Sequence, residues 1–367
     1  MVAYLRYGTP RRAMVRGGNV MTNEITTNYV IHGAGGIGCV VAARLADTGR
    51  RVSLIARGDH LLALQQNGLQ VHGDTNGKWK LPAASHARDL AIDENTVILL
   101  TMKTDDTFKA VEQHEVIYRD LPIVCFQNGV TNEAWLAERN FRTYGCTVMV
   151  GAGITQPGVV RHSGGKILEI GSWPSGVDDL CLRITKDLQL SGMEADVDKN
   201  IENGKWGKLV RNLSNAYLAL TNLSVQEASC LQEDRSFIAD VNEEAANVTE
   251  AAGLFVRSIG KRSLREQIDH LRTDGVWPAR PSVTEATRSY PSTWQDLKAK
   301  RGSVEVDHFN GAIVRLGEIH GVETPFNRVL RDLCVDAAVR LLDPGTETCE
   351  SLRSAATNTT KGARGGT

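Results

Sequence analysis

Tyr29-Val-Ile-His-Gly33-Ala-Gly35-Gly-Ile-Gly38 is a short β-branched run leading straight into Gly-x-Gly-x-x-Gly, with an apolar helical stretch, Cys39 to Thr48, directly after it. The three spaced glycines have separate jobs. Gly33 permits a tight turn, Gly35 lets backbone approach a pyrophosphate, and Gly38 lets the helix pack close to the strand. The N–H groups opening the helix, at Gly36 and Ile37, then face phosphate oxygens. Glycine turns are common, so the motif alone is weak evidence. Here a second strand, Arg51-Val-Ser-Leu-Ile-Ala56, completes the strand–helix–strand order that dinucleotide binding needs.

The end of that second strand bears on which dinucleotide fits. NAD-preferring sites place an acid about 20 residues after the glycines, where it takes the ribose 2′-OH. This chain has Ala56-Arg57-Gly58 there and no acid before Asp59. Arg57 cannot accept a hydrogen bond from a hydroxyl, but its planar fork suits a 2′-phosphate. A solvated arginine at a strand end is the plain alternative. The reading favours NADP(H).

Outward from this unit, strands continue to alternate with helical stretches: 68–72, 96–101, 121–126, 146–150 and 166–170. That alternation predicts an α/β fold with a Rossmann-type, doubly wound, largely parallel sheet. Ligands bind outside the carboxyl ends of such strands. Arg57, Lys103 in Thr101-Met-Lys-Thr, and Asn128 in Gln127-Asn-Gly129 converge on that edge. From about Asn200 the pattern turns helical, over 200–222, 235–253, 257–272 and 303–342, with a Pro-containing segment around 277–292. We therefore expect an NADP-binding domain at 28–199 and an all-helical C-terminal substrate domain at 200–343. Residues 1–27 read as disordered or as an over-extended start, since Met14 and Met21 just precede the first strand. The Thr/Ser/Gly-rich tail, 344–367, reads as disordered.

Composition excludes several classes. A chain of 367 residues fits two domains, each with its own core. A net charge of −1 with 23% charged residues points away from nucleic acid and anionic membranes. No apolar run approaches the ~20 residues of a membrane helix, and residues 1–24 lack the apolar core of a secretory signal. Seven scattered cysteines without CxxC, and nine histidines without paired spacing, suggest a cytoplasmic protein with no disulfide framework and no metal.

Two helical segments carry unusual polar residues. In Lys205-Trp-Gly-Lys208-Leu-Val-Arg-Asn212-Leu-Ser-Asn215, an advance of ~100° per residue puts Lys208, Asn212 and Asn215 on one face, opposite Trp206, Leu209 and Leu213. A solvated polar face explains this as readily as a site does. In 304–319, Glu305 falls within the apolar face made by Phe309, Ala312, Ile313 and Leu316. An ionised carboxylate there is costly unless paired, although a first-turn acid also suits the helix dipole. If buried, it needs a cation, and Lys208 is a candidate. A lysine so held can donate a proton to a carbonyl oxygen as hydride arrives.

These segments, with GAGGIG (33–38), SLIARG (53–58), Lys103, FQNGV (126–130), KWGKLVRN (205–212) and STWQDLKAKR through TPFNR (292–328), resemble the ketopantoate reductase (2-dehydropantoate 2-reductase) family over roughly residues 28–340. The resemblance implies a Rossmann domain plus a helical domain, and NADPH-dependent reduction of a 2-oxo acid to a 2-hydroxy acid. It implies Lys208 as general acid and Glu305 as the carboxylate positioning it. Arg57 becomes the 2′-phosphate contact, and Lys103, Asn128 and Asn212 become residues of the cofactor and substrate cleft. Ser292 and Thr293 fall where the family places a substrate-holding hydroxyl.

The pattern departs from the family in three places. The family usually continues Asn-x-x-x-Asn-Pro-Leu-Thr, whereas this chain has Ala216 in the second asparagine's place and Asn215 one residue early, a rotation of ~100°. The segment from Asp296 to Glu305 is one residue longer, and Tyr290 stands where asparagine is common. All three concern substrate recognition. Another keto or 2-hydroxy compound, or a non-catalytic NADP(H) sensor, stays open beside ketopantoate, as does a homodimer.

Overall fold

The computed structural model of the chain describes residues 26–258, 262–273 and 288–364. Met14 and Met21, and most of the expected Pro-containing segment, lie outside the described residues. Strands β1 (Asn28–His32), β2 (Val52–Ile55), β3 (Leu69–Gly73), β4 (Gly77–Trp79), β5 (Ala83–Ala84), β6 (Thr96–Leu100), β7 (Ile123–Cys125), β8 (Thr143–Gln156), β9 (Val159–Ser172) and β10 (Glu194–Val197) form one sheet. Its order is β4-β3-β9-β8-β7-β6-β1-β2-β5, with β10 also paired to β9. From β8 through β5 every pairing is parallel.

The strands of this parallel part are apolar on both faces, as a sheet covered by helices requires. Ile31, Leu99 and Val124 join one core, while Val30, Ile98 and Ile123 join the other. Helices α1 (Gly36–Asp47), α2 (Gly58–Asn67), α3 (Thr104–Gln113), α4 (Glu115–Tyr118), α5 (Thr131–Glu138) and α6 (Asp179–Leu190) connect the strands. The chain leaves β1 toward β2 on one side and later returns to β6 on the other. That reversal opens a crevice at the carboxyl end of β1.

The sheet differs from the sequence reading at one side. The runs expected at 146–150 and 166–170 are the middles of two 14-residue strands, β8 and β9, paired antiparallel. Their connection is Pro157-Gly158, with Gly158 at φ +76°, and a two-residue link permits only a hairpin.

After Val197 only helices follow among the described residues. They are α7 (Ile201–Asn212), α8 (Ser214–Thr221), α9 (Val225–Ala228), α10 (Gln232–Ala251), α11 (Leu264–Arg272), α12 (Ser292–Lys298), α13 (Asn310–His320), α14 (Pro325–Val339) and α15 (Cys349–Arg364). Leu209, Leu213, Tyr217, Phe237, Ile313 and Leu330 centre their core. None of the described helices is long and apolar enough to cross a membrane.

Three helical expectations are corrected. The helix expected from 257 begins at Leu264, where Ser263 and Glu266 form a capping box. The single helix expected over 303–342 is a 3-10 turn (Glu305–His308), then α13, then α14. It breaks at Phe309, with φ −111° and ψ −85°, where the buried Asn310 amide turns inward to the Leu213 carbonyl and to Asn327. It breaks again at Gly321, in the left-handed region, before Pro325 opens α14. The tail read as disordered contains α15. Leu352 and Ala356, four apart, are fully buried against the helical core, and Arg353 lies over the rings of Phe237 and Phe326. One apolar pair at helical spacing outweighs a polar average.

Candidate active site

The glycine loop shows by contact which of its glycines the protein itself requires. A Cβ on Gly33 (φ +96°) would lie 2.5 Å from the Met102 backbone nitrogen, and one on Gly36 would lie 2.6 Å from the Ala152 backbone. One on Gly38 would lie 2.4 Å from Thr101 Oγ1, which itself donates to the Gly33 carbonyl at 2.6 Å. At Gly35 a Cβ would meet only the Gly33 carbonyl, at 3.8 Å. The open side of Gly35 and the first turn of α1, whose N–H groups have no acceptors within the helix, border a cavity of about 670 Å³. The carboxyl ends of β1, β2, β6 and β7 wall it. Open space over one glycine, donors at a helix start and a cavity of this size fit a dinucleotide's pyrophosphate.

Arg57, exposed at the end of β2, lines this cavity and pairs with Asp106 at 2.7 Å. Sequence reasoning missed that carboxylate, because it arrives from the first turn of α3 rather than from the β2 end. Lys103 lines the cavity as well, with its ammonium 2.7 Å from the buried Asp296, which also pairs with Arg301. A buried imidazole, His32, accepts or donates at 2.9 Å with the Tyr118 hydroxyl. Burial, then the neighbouring His114 and His86, push its pKa down to about 3, which favours the neutral imidazole near pH 7.

Glu305 is buried and lines the same cavity. It sits on the 3-10 turn, not on the face of a continuous helix. Burial raises its pKa against the pull of Lys103, with Asp296 adding to the rise. Lys103 is thus the cation acting on it most strongly. No direct ion pair joins Glu305 to Lys208 among the described residues, although the Glu305 charge acts on Lys208, less strongly than Cys146 does.

Lys208 opens instead into a second cavity, of about 1040 Å³, between β8 and the helical half. Asn212, Asn215 and Arg211 line it, whereas Ala216 is buried away from it. Lys208 is half-buried, and its Nζ donates to the Val148 carbonyl on β8. Burial, then the charge of Lys205, push its pKa down to about 7. The two cavities adjoin, with Ile37, Asn128, Ala152 and Ser292 lining both. Ser292 lies at the junction, while its neighbour Thr293 is buried and lines neither cavity. Tyr290 stacks on Trp294 at 4.0 Å. Sequence reasoning also missed Lys205, which it placed on no face and which is buried in an ion pair with Glu133.

The family model described as Ketopantoate reductase PanE/ApbA matches residues 29–175, and its C-terminal counterpart matches residues 200–336. The 2-dehydropantoate 2-reductase of Pyrococcus horikoshii is 29% identical over 307 residues, covering 82% of this chain and 94% of that protein. That of Halobacterium salinarum is 28% identical, covering 83% and 96%. A PanE/ApbA family ketopantoate reductase from Ralstonia eutropha JMP134 superposes with a TM-score of 0.73 at 27% identity, covering 86% of this chain and 99% of that one. A D-mandelate dehydrogenase solved with NADH and anilino(oxo)acetate shares the fold at the same TM-score and coverage, at 24% identity. Matched across both halves and over nearly the full length of its relatives, the chain belongs to the ketopantoate reductase family.

Proposed function

We propose that this protein reduces a 2-oxo acid to the 2-hydroxy acid with NADPH, that 2-dehydropantoate is the leading substrate, and that Lys208 is the proton donor. The observation carrying this reading is the half-buried Lys208 amine lining a cavity that adjoins the glycine-loop cavity, where burial and the Lys205 charge push its pKa down to about 7. Residues 28–199 would hold the nucleotide and residues 200–343 the substrate. Gly33, Gly35, Gly36, Ile37 and Gly38 would carry the pyrophosphate, and Arg57 the 2′-phosphate. NADPH, when bound, supplies the hydride.

The chain's own residues supply the rest. Asn128, in the wall between the cavities, would orient the reacting groups. Asn212, Asn215 and Ser292 would hold the substrate's polar groups. Lys208 Nζ would pass its proton to the carbonyl oxygen as negative charge builds there. An amine whose proton affinity matches the working pH does this best. Lys103, held by Asp296, and Glu305 set the charge balance on the nucleotide side. Holding both reactants in one cleft contributes through proximity.

A second reading, a bulkier 2-oxo acid or a ketone, is favoured by Ala216, buried where the family's second asparagine stands. A buried donor strongly rejects analogues lacking its partner, so its loss relaxes the demand for a hydroxylated substrate. Measuring kcat/KM with NADPH across a panel of 2-oxo acids tests both. Highest kcat/KM with 2-dehydropantoate supports the first reading, and preference for an aryl or alkyl 2-oxo acid supports the second. No NADPH oxidation with any of them would refute both.

A further inference from the structure

Lys205 and Glu133 form an ion pair to which the reaction above assigns no role. Their side chains are 2% and 0% exposed, the most deeply buried oppositely charged pair among the described residues. Lys205 lies three residues before Lys208 on α7, and its Nζ also donates to the Gln127 carbonyl at 2.7 Å. Gln127 immediately precedes Asn128, and Glu133 sits in the first turn of α5, just after the same loop. On the loop's other side, a Cβ on Gly129 (φ +80°) would lie 3.3 Å from the His308 carbonyl, on the turn that carries Glu305. The Gln127–Gly129 loop is therefore gripped between α7 and the Glu305 turn. Meanwhile Lys208 reaches from α7 to the Val148 carbonyl on the adjacent strand.

Stability alone does not account for this pair. Taking two charges out of water costs about as much as their attraction returns, and apolar residues of similar volume commonly do as well. A helix that needed only to dock against β7 and β8 could do so with leucine or methionine.

We propose that Glu133–Lys205 is a positioning pair, which holds the Asn128 loop in fixed register with Lys208 across the seam between the two halves. The proposal rests on the reading of Lys208 as proton donor. The pair also has an electrostatic consequence. The charges acting most strongly on Lys208 are Lys205 and Arg211 on its own helix, Cys146 on β8 and Glu305 on the 3-10 turn, and Arg161, Arg235 and Arg257 line the same cavity. β9, also packed on α7, brings Glu169, which Arg257 holds. Lys205 is the foremost of these charges in favouring the neutral amine.

The test uses the full chain carrying Lys205→Met with Glu133→Leu, which replaces the pair by apolar bulk, and Lys205→Gln as a second variant should the first not fold. Three readouts are taken: kcat, the NADPH dissociation constant, and titration of Lys208 in cofactor-free protein. The last follows the 13C signal of the reductively methylated amine, assigned with Lys208→Arg. A displaced loop should lower kcat roughly tenfold to a hundredfold, and NADPH affinity by a smaller factor, because the loop lines the nucleotide cavity only in part while the glycine loop is untouched. The Lys208 titration should move to higher pH, and Lys205→Arg should recover most of kcat. A folded variant with unaltered kcat and an unaltered Lys208 titration would overturn the proposal. Failure of the underlying reading has a different signature: Lys208→Ala would keep its kcat whatever the Lys205 variants do.

Discussion

Gly35 differs from its neighbours in that no protein atom requires its missing side chain. Its φ of −81° is open to any L residue, and a Cβ there projects into the cavity. Gly35→Ala should therefore leave the melting temperature nearly unchanged and weaken NADPH binding. Gly38→Ala should do the reverse first. Its Cβ would press on Thr101 Oγ1 and on the Gly33 carbonyl, and overpacking of that kind costs roughly 1–3 kcal/mol. Thermal denaturation and NADPH titration of the two variants separate the roles. Asp106 invites another test, since it occupies the Arg57 guanidinium that a 2′-phosphate would need. Asp106→Asn should raise the NADPH-over-NADH ratio of kcat/KM, and an unchanged ratio would count against the Arg57 contact. The steric need for glycine at 33 and 38 was legible because the spacing of the motif specifies it. Asp106 and the inward turn of Thr293 were not, because each depends on which neighbouring helix lies alongside.

Lys208 also makes a prediction about stability. Its folded pKa, about 7, lies below the ordinary lysine value of 10.5, so burial disfavours the charged amine. The resulting cost is fully present below pH 7 and fades as pH rises toward 10.5, where the unfolded chain also loses the proton. Lys208→Met should accordingly raise the melting temperature most at pH 6 and progressively less above pH 8. A gain independent of pH would mean that the amine is already solvated.

At the scale of elements, α14 begins on a borrowed cap. The Glu244 carboxylate on α10 accepts from the backbone N–H groups of Phe326 and Asn327, at 2.8 and 2.9 Å, and from the Asn327 side chain. Glu244→Ala strands those donors in a buried place, a loss of about 2 kcal/mol or more, to be read from the denaturant midpoint. A midpoint equal to wild type would show that water replaces the carboxylate. This cap explains why the sequence reading ran 303–342 together as one helix. The apolar period continues past Phe309 and Gly321, and what divides it is Asn310 and Asn327 bonding to each other and to other helices. The α15 helix was missed for a related reason. Its buried residues are a minority of its length, and only the core of α10 and α14 gives them something to pack against.

At the scale of the whole molecule, two adjoining cavities put nucleotide-type features on the sheet and the Lys208 amine on the helical half. The strand–helix alternation and the change to helix after Val197 both followed from hydrophobic period, so the frame was readable along the chain. The pairing of charges across the seam was not. Sequence reasoning matched Lys208 with Glu305, the pair the family pattern suggests, whereas the folded chain sets Lys103 against Asp296 and Lys205 against Glu133. Such partners lie between 72 and 193 residues apart along the chain, where no local period reports on them.

The most direct test is steady-state NADPH oxidation with 2-dehydropantoate by Lys208→Ala, with NADPH binding measured on the same variant. Loss of a general acid should lower kcat by roughly 10²–10⁴ while the NADPH dissociation constant stays near wild type, and the wild-type kcat should fall as pH rises through about 7. A variant that turns over at the wild-type rate would contradict the account.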